Sequence, residues 1–416
     1  MQNWKIKASL FLNYFVFAIL LNSVGTVILQ VQQNFGVSEG SASVLEAFKD
    51  LSIAAVSFLI SSYIVRIGYK NAMLIALGFI SIVCFIMPFT ASFLTTKILF
   101  AAVGSSFALI KMSVYSTIGL VTKNEKAHIS LMNFIESFFM IGILTGYFIF
   151  SYFVDDANPK STAWLNVYYL LGGISLLAFL LLLSAPLDES SVQTTEQKSM
   201  PEEFKEMFRL MVKPIVLVFV LCAFFYVLIE QSIMSWLPTF NNKVLLLPAA
   251  LSIQMASILA GSTAIGRFFA GLVLKKLNWL IVLISCLLLS ALLVLIAIPL
   301  AEKTTGQPIT GWTTAPIAAF IFPMIGLLLA PIYPAVNSVI LSTLPVKQHG
   351  LMSGLIIIFS ALGGTTGSII TGNIFQHYDG KQAFYFSLIP MAILVICLLR
   401  FSRLQKKEKQ TAKADA

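Results

Sequence analysis

Charge is what this chain has least of. Asp, Glu, Lys and Arg together make up 11% of its 416 residues, against the roughly 25% usual in soluble domains. So little charge cannot cover a water-facing surface, which excludes both a soluble globular protein and a disordered chain. Histidine and cysteine are scarce too, at three and four residues. His128, His349 and His377 fall at the ends of apolar runs. Cys84, Cys222, Cys286 and Cys397 fall inside such runs and read as small packing residues, not as disulfides or metal ligands. No glycine-rich phosphate loop opens a helix after a strand, and no His-Glu-x-x-His or Cys/His cluster is present. Nothing therefore supports an enzyme, a bound cofactor or metal, or ATP hydrolysis within the chain.

Apolar residues are abundant: 58% of the chain is hydrophobic and the mean hydropathy is +0.90. Twelve runs are long enough to cross a bilayer, which takes about 20 apolar residues as a helix. They cover 8 to 31, 42 to 65, 71 to 92, 96 to 121, 128 to 151, 164 to 186, 213 to 237, 248 to 273, 278 to 300, 316 to 342, 350 to 374 and 381 to 401. The first run is too long for the apolar core of a cleavable signal and reads as the first span. The fold class is thus an all-α membrane protein of twelve transmembrane helices.

The formal net charge of +9 could suggest nucleic acid, but the basic residues recur between spans instead of forming one patch. Lys5, Lys7, Arg66, Lys70, Lys123, Lys126, Lys198, Lys205, Arg209, Lys213, Lys275, Lys276, Lys347 and the tail from Arg400 to Lys413 all fall on one side of the membrane. The opposite loops carry only Lys97, Lys160, Lys243, Lys303 and Lys381. The positive-inside rule makes the richer side cytoplasmic and puts both termini there. The expected setting is a bacterial inner membrane, crossed many times by a monomer that has no nucleic-acid partner.

The one long polar segment, Asp188 to Arg209, divides the spans six and six. Its part from Glu202 to Arg209, after Pro201, is expected to be a short helix on the membrane surface. The expected organisation is a six-helix bundle over 1–187, a linker over 188–212, a second six-helix bundle over 213–401 and a basic tail over 402–416. Internal similarity agrees with two halves. Ser61 to Lys70, after the second span, resembles Gly271 to Asn278, after the eighth, and Gly104 to His128 overlays Gly326 to Gly350 without a gap, placing Lys111 opposite Tyr333.

Twelve spans, a central cytoplasmic loop and the fragment Arg66-x-Gly68-x-Lys70 resemble the major facilitator superfamily. The acid expected before Arg66 is replaced by Val65. A narrower resemblance is to the fucose:proton symporter family of sugar transporters. It is carried by Gln32-Gln33-Asn34-Phe35, by Phe225 to Glu230, by Ile265-Gly266-Arg267 to Gly271, and by Pro331-Ile332-Tyr333-Pro334. That resemblance implies alternating access and a central cavity lined by the fourth and seventh spans. It also implies that Glu230, supported by Gln231, bonds sugar hydroxyls, and that Arg66, Gly68, Lys70 and Arg267 serve gating or structure. The two acids that the family associates with proton coupling and sugar binding fall at Gly25 and at or beside Lys111. Neither is present here, so the family's proton site and its preference for neutral hexoses do not carry over.

An ionisable group in a span needs a partner or water, because the hydrocarbon core provides neither. Lys111 sits near the middle of the fourth span. It reads as a cationic site for a substrate carboxylate or phosphate, or as half of a structural ion pair with Glu136 or Asp50, Glu136 being the preferred partner. Glu136 and Asp50 are candidate proton or sodium acceptors. Glu46, one turn from Asp50 on the same helical face, is a third candidate, and its place near the outer mouth also allows simple solvation. Lys49 belongs to another face and is expected to snorkel outward. Asn22, Thr26 and Gln30 recur every fourth residue in the first span, as do Tyr333 and Asn337 in the tenth. Such stripes suit sugar hydroxyls and helix packing equally. Glycines 354, 363, 364, 367 and 372 let the eleventh span bend or approach its neighbours closely.

The resulting expectation is a secondary active transporter that imports a sugar or sugar-like small molecule, one that can be anionic, by symport with H+ or Na+, the proton being preferred. The rival reading is a proton-coupled exporter of drugs, siderophores or metabolites.

Overall fold

The computed structural model describes residues 4–61, 63–122, 125–189, 200–301, 309–345 and 348–414. Lys123, Lys198, Lys303 and Lys347 of the charge pattern, and residues 190–199 of the linker, lie outside them. Among the described residues the regular structure is helical. In the first half the helices are α1 (Trp4–Asn22), α2 (Val24–Phe35), α3 (Glu39–Ala42), α4 (Val44–Ser61), α5 (Ile64–Ile67), α6 (Tyr69–Ile86), α7 (Phe93–Val121), α8 (Glu125–Tyr152), α9 (Val167–Leu183) and α10 (Met200–Met211). In the second they are α11 (Pro214–Met234), α12 (Leu237–Lys243), α13 (Ala249–Val273), α14 (Trp279–Ala301), α15 (Ala318–Ile321), α16 (Ile325–Leu329), α17 (Ile332–Thr343), α18 (His349–His377), α19 (Gly380–Tyr385) and α20 (Leu388–Ala414).

Local sequence explains the boundaries. Ser92 and Thr95 form a reciprocal capping box that starts α7. Pro214 opens α11, where its missing N–H costs nothing. Several spans read as continuous are broken, the twelfth among them, between α19 and α20. The first is interrupted at Ser23, between α1 and α2. The tenth is cut into α15, a 3-10 turn holding Pro323, α16 and α17, because proline removes a helix donor and crowds the preceding turn. Conversely, α20 continues to Ala414, so the basic tail is helical.

Among the described residues, eleven segments are long and apolar enough to cross a membrane. The remaining span is α4, whose first two turns carry Glu46, Lys49 and Asp50. Large apolar side chains face outward along α14, where Ile281, Leu288, Leu292 and Leu295 are each at least half exposed, as a lipid-facing stripe requires.

The chain divides into two compact units. The first comprises Met1–Val37 and Val44–Met200. In it α1 packs on α8 and α9, α4 on α7, and α6 on α7 and α9. The α4–α7 contact is close because Gly104 has no side chain: a Cβ there would lie 2.2 Å from the Lys49 carbonyl oxygen.

The second unit comprises Ser38–Ser43 and Pro201–Ala416. Here α11 packs on α18 and α20, and α13 on α12 and α16. A Cβ at Gly363 would lie 2.3 Å from the Phe224 carbonyl oxygen, and one at Gly367 2.4 Å from that of Leu228. The glycines of the eleventh span therefore serve close approach, and α18 runs unbroken through them. Ser38–Ser43 is tied to this unit by an ion pair between Glu39 and Lys243 and by the Gly40 N–H, which donates to Gln376 Oε1 at 3.0 Å.

Candidate functional site

In the first unit, Lys111 is exposed, the one such residue on α7 between Leu99 and Ile118. Its Nζ lies 5.9 Å from the centre of the Phe107 ring. Among the described residues it forms neither expected ion pair. Glu136 is near enough to act on it electrostatically, but Glu136 Oε1 accepts instead from the Tyr115 hydroxyl at 2.8 Å. Tyr115 stands one turn after Lys111 on the same face of α7, so the two groups approach α8 from one side. Rings surround this corner: Tyr14 lies 6.2 Å from Tyr115 and 5.7 Å from Phe139, and Phe107 lies 6.0 Å from Phe17. The arrangement is an aromatic wall that carries one open ammonium and one tyrosine-bound carboxyl group.

Asp50 is unavailable to Lys111 because it belongs to a buried triad on α4. Lys49 Nζ contacts Glu46 Oε1 and lies 3.4 Å from Asp50 Oδ1. Glu46, Lys49 and Asp50 are 0%, 6% and 8% exposed. Two expectations are corrected here. Lys49 does not snorkel outward, and Glu46 is not solvated. Two carboxylates one turn apart inside a span are far costlier without a cation than the lysine is to retain, so the ammonium turns inward.

Asn22 and Thr26 line a small cleft against α8, together with Ser23 and Tyr147. Lys111 is not among its walls. Asn22 also donates to the Ala18 carbonyl at 2.8 Å, and Gln30 is buried.

The second unit carries a comparable wall. The Tyr226 hydroxyl donates to Glu230 Oε1 at 2.8 Å, one turn further along α11. Tyr226 stacks on Tyr333, with centroids 5.5 Å apart and planes 26° apart. The Tyr333 hydroxyl meets Ser360 Oγ of α18 at 3.0 Å. Arg267 is exposed on α13 and acts electrostatically on Tyr226. The structure thus brings together Glu230, Tyr333 and Arg267. Gln231 is not drawn in: it points 100° away around the helix, and its Oε1 accepts from Ser235 Oγ at 3.1 Å. Asn337 follows Tyr333 by one turn, and its Oδ1 is buried with no hydrogen-bond partner among the described residues.

At the Arg66-Gly68-Lys70 turn, Gly68 has φ +85°, a conformation that favours glycine. The acid absent at Val65 is supplied from elsewhere. Glu189 accepts from the backbone N–H groups of Tyr69, at 3.0 Å, and Lys70, at 2.7 Å, at the start of α6. Lys70 Nζ in turn donates to the Ala185 carbonyl at 2.6 Å, beyond the end of α9, and Arg66 lies over the Tyr63 ring at 5.9 Å.

Sequence reasoning missed Tyr14, Tyr115, Ser360 and Glu189. Tyr115 was findable, four residues after Lys111 in a helix. Glu189, 120 residues from Tyr69, left no local signal.

No protein of curated function matches the chain in sequence. Solved structures share its fold. The nucleoside transporter NupG matches at 15% identity and a TM-score of 0.71, over 95% of this chain and 98% of that one. The D-xylose-proton symporter matches at 13% and 0.69, over 95% and 97%. FucP, in the outward conformation, matches at 15% and 0.62, over 97% and 99%. Two six-helix bundles of this kind carry membrane transport and no enzymatic centre, and the Major Facilitator Superfamily model matches residues 10–324 and 281–416, so the chain belongs to that superfamily.

Proposed function

We propose that this transporter imports a sugar or sugar-like organic solute, acidic members included, by symport with a proton. The observation that carries the reading is Lys111: an exposed ammonium in a span, on an aromatic wall, with its nearest carboxylate engaged by Tyr115. A cation left open in this way suits an anionic group on the solute, and the surrounding rings suit the apolar faces of a pyranose. In the second unit, the Glu230, Tyr226, Tyr333 and Ser360 network supplies the donors and acceptors that hydroxyls need. Glu136, Asp50 and Glu46 are the groups to which we assign coupling. In the first unit Asn22 and Thr26, and in the second Gln231 and Asn337, are assigned to solute contacts. Arg66, Gly68, Lys70 and Arg267 are assigned to gating and support.

We place the protein in a bacterial inner membrane with both termini in the cytoplasm. Proteoliposomes holding the purified protein, given neutral and acidic sugars under an imposed pH or sodium gradient, test the reading. Uptake driven by an inward proton gradient is expected. Absence of gradient-dependent flux of any of these sugars would sink it.

A further inference from the structure

Helix α20 runs on past the hydrocarbon without a break. Its 27 residues extend about 40 Å at 1.5 Å each, more than the ~30 Å thickness of a bilayer core. One face shows where it leaves. Ile396, Leu399, Arg400, Arg403 and Lys406 recur on that face and are all exposed, so apolar side chains give way to basic ones within a single turn. The opposite face is buried through Leu394, Leu398 and Phe401.

A second basic segment is held at the same level. Phe401 meets Trp279, the first residue of α14, edge to face with ring centres 6.0 Å apart. Lys275 and Lys276, in the turn just before Trp279, are exposed, and Arg400 and Arg403 lie within about 3 Å of Phe401 along the α20 axis. Apolar side chains face outward beside these cations: Leu277 is 57% exposed, Ile281 64% and Ile396 66%. No acid offsets the four charges. Helices α13 and α14 and the turn between them contain none, and the one acid of α20, Glu408, follows Arg403 by more than a turn. Of α11, α14 and α17, which pack on α20, only α11 has an acid, Glu230. It lies roughly 16 Å along the helix from Phe219, whose ring meets Phe401. Among the described residues none of the four cations forms an ion pair.

Four like charges at the edge of the hydrocarbon call for an anion, and their surroundings decide which. Guanidinium and ammonium groups hold phosphate by charge-assisted hydrogen bonds. A tryptophan at this depth belongs to the headgroup layer, and the exposed Leu277, Ile281 and Ile396 suit acyl chains, not water. A soluble anion answers the first feature and leaves the last unanswered. We propose that Lys275, Lys276, Arg400 and Arg403 form a site for the phosphate of an anionic phospholipid whose acyl chains lie along α14 and α20. The bound lipid ties the α13–α14 turn to the emerging end of α20. The site shares no residue with the solute and coupling groups, and it is the same whichever side of the membrane it faces.

Native mass spectrometry of the purified full chain, titrated in detergent with phosphatidylglycerol or with phosphatidylcholine of the same chain length, reads the site. The wild type is expected to bind one phosphatidylglycerol about tenfold or more tightly than phosphatidylcholine. The preference should vanish when Lys275, Lys276, Arg400 and Arg403 are all changed to Gln, weaken in either the lysine or the arginine pair alone, and persist in Lys160→Gln, which removes an exposed lysine of the first unit. High salt should weaken it in the wild type, and soluble glycerol phosphate should not displace the lipid. Equal affinity for the two lipids, a preference that survives the fourfold change, an equal loss in Lys160→Gln, or displacement by glycerol phosphate would each overturn the proposal. If the fourfold variant does not fold, the two pair variants decide, and unchanged affinity in both overturns it as well.

Discussion

Replacing Lys111 with methionine removes the open ammonium and keeps the length and the apolar contact with Phe107. Because the lysine has no ion pair among the described residues, the substitution strands no ion-pair partner, and on the proposed reading the loss it causes is loss of attraction for the solute. Two unit charges about 4 Å apart attract by about 4 kcal/mol at an effective dielectric of ~20 and by about 1 kcal/mol in water. Lys111 is exposed, so the lower part of that range applies, roughly 1–2 kcal/mol, or about a five- to thirtyfold change in affinity. Calorimetric titration of purified protein with a hexuronate and with the matching neutral hexose separates charge from shape. The hexuronate is expected to weaken by about tenfold in Lys111→Met, the hexose to be unchanged, and Lys111→Arg to retain most of the hexuronate affinity. Raising the salt concentration should weaken hexuronate binding to the wild type and leave the methionine variant unaffected, since screening acts on an exposed charge. Equal hexuronate affinity in the wild type and Lys111→Met would refute the reasoning, and so would a wild type that binds no hexuronate.

Other perturbations follow from the same geometry. Tyr115→Phe removes the hydroxyl that holds Glu136, a hydrogen bond to a carboxyl group worth about 1.5–3 kcal/mol, so the melting temperature should fall by a few degrees and proton-driven uptake by about tenfold or more. Gly363→Leu forces side-chain atoms into the Phe224 carbonyl and should sharply lower thermal stability, whereas Gly119→Ala, with nothing within 4 Å, should leave it unchanged in the same melting assay. Glu189→Ala leaves the start of α6 without its carboxylate and should cost about 0.5–2 kcal/mol, read as a lower melting temperature that Glu189→Asp partly restores.

The spans were legible because each is a long apolar run, and length and hydropathy are additive properties of a chain. The breaks within them were not. A single residue, Ser23, separates α1 from α2, and a helical repeat such as Asn22, Thr26 and Gln30 continues across it in the sequence. Candidate charges were equally legible, since an ion in a span stands out against its neighbours. Their pairing was not, because it depends on rotamers. Lys49 stands about 100° around the helix from Asp50 but only three residues after Glu46, and its long, flexible stem lets the ammonium reach both. The same freedom left Lys111 without the partner that depth alone suggested. Glu189 shows a third limit, because the acid that completes a turn can come from a segment the turn itself does not reveal.

The two units solve one chemical problem with different parts. Each holds a glutamate by a tyrosine hydroxyl at 2.8 Å and sets an exposed cation nearby, Lys111 in one and Arg267 in the other. In the first unit the tyrosine and the glutamate come from neighbouring helices, α7 and α8. In the second both come from α11. The internal repeat, which sets Lys111 opposite Tyr333, therefore does not map cation onto cation. A tyrosine-held glutamate that spans two helices changes whenever those helices slide, whereas one within a single helix travels with it as a rigid piece. On the proposed reading, that difference suits coupling at Glu136 and solute recognition at Glu230. It also requires Tyr115→Phe to alter the proton dependence of uptake more than its substrate preference, and Tyr226→Phe to do the reverse.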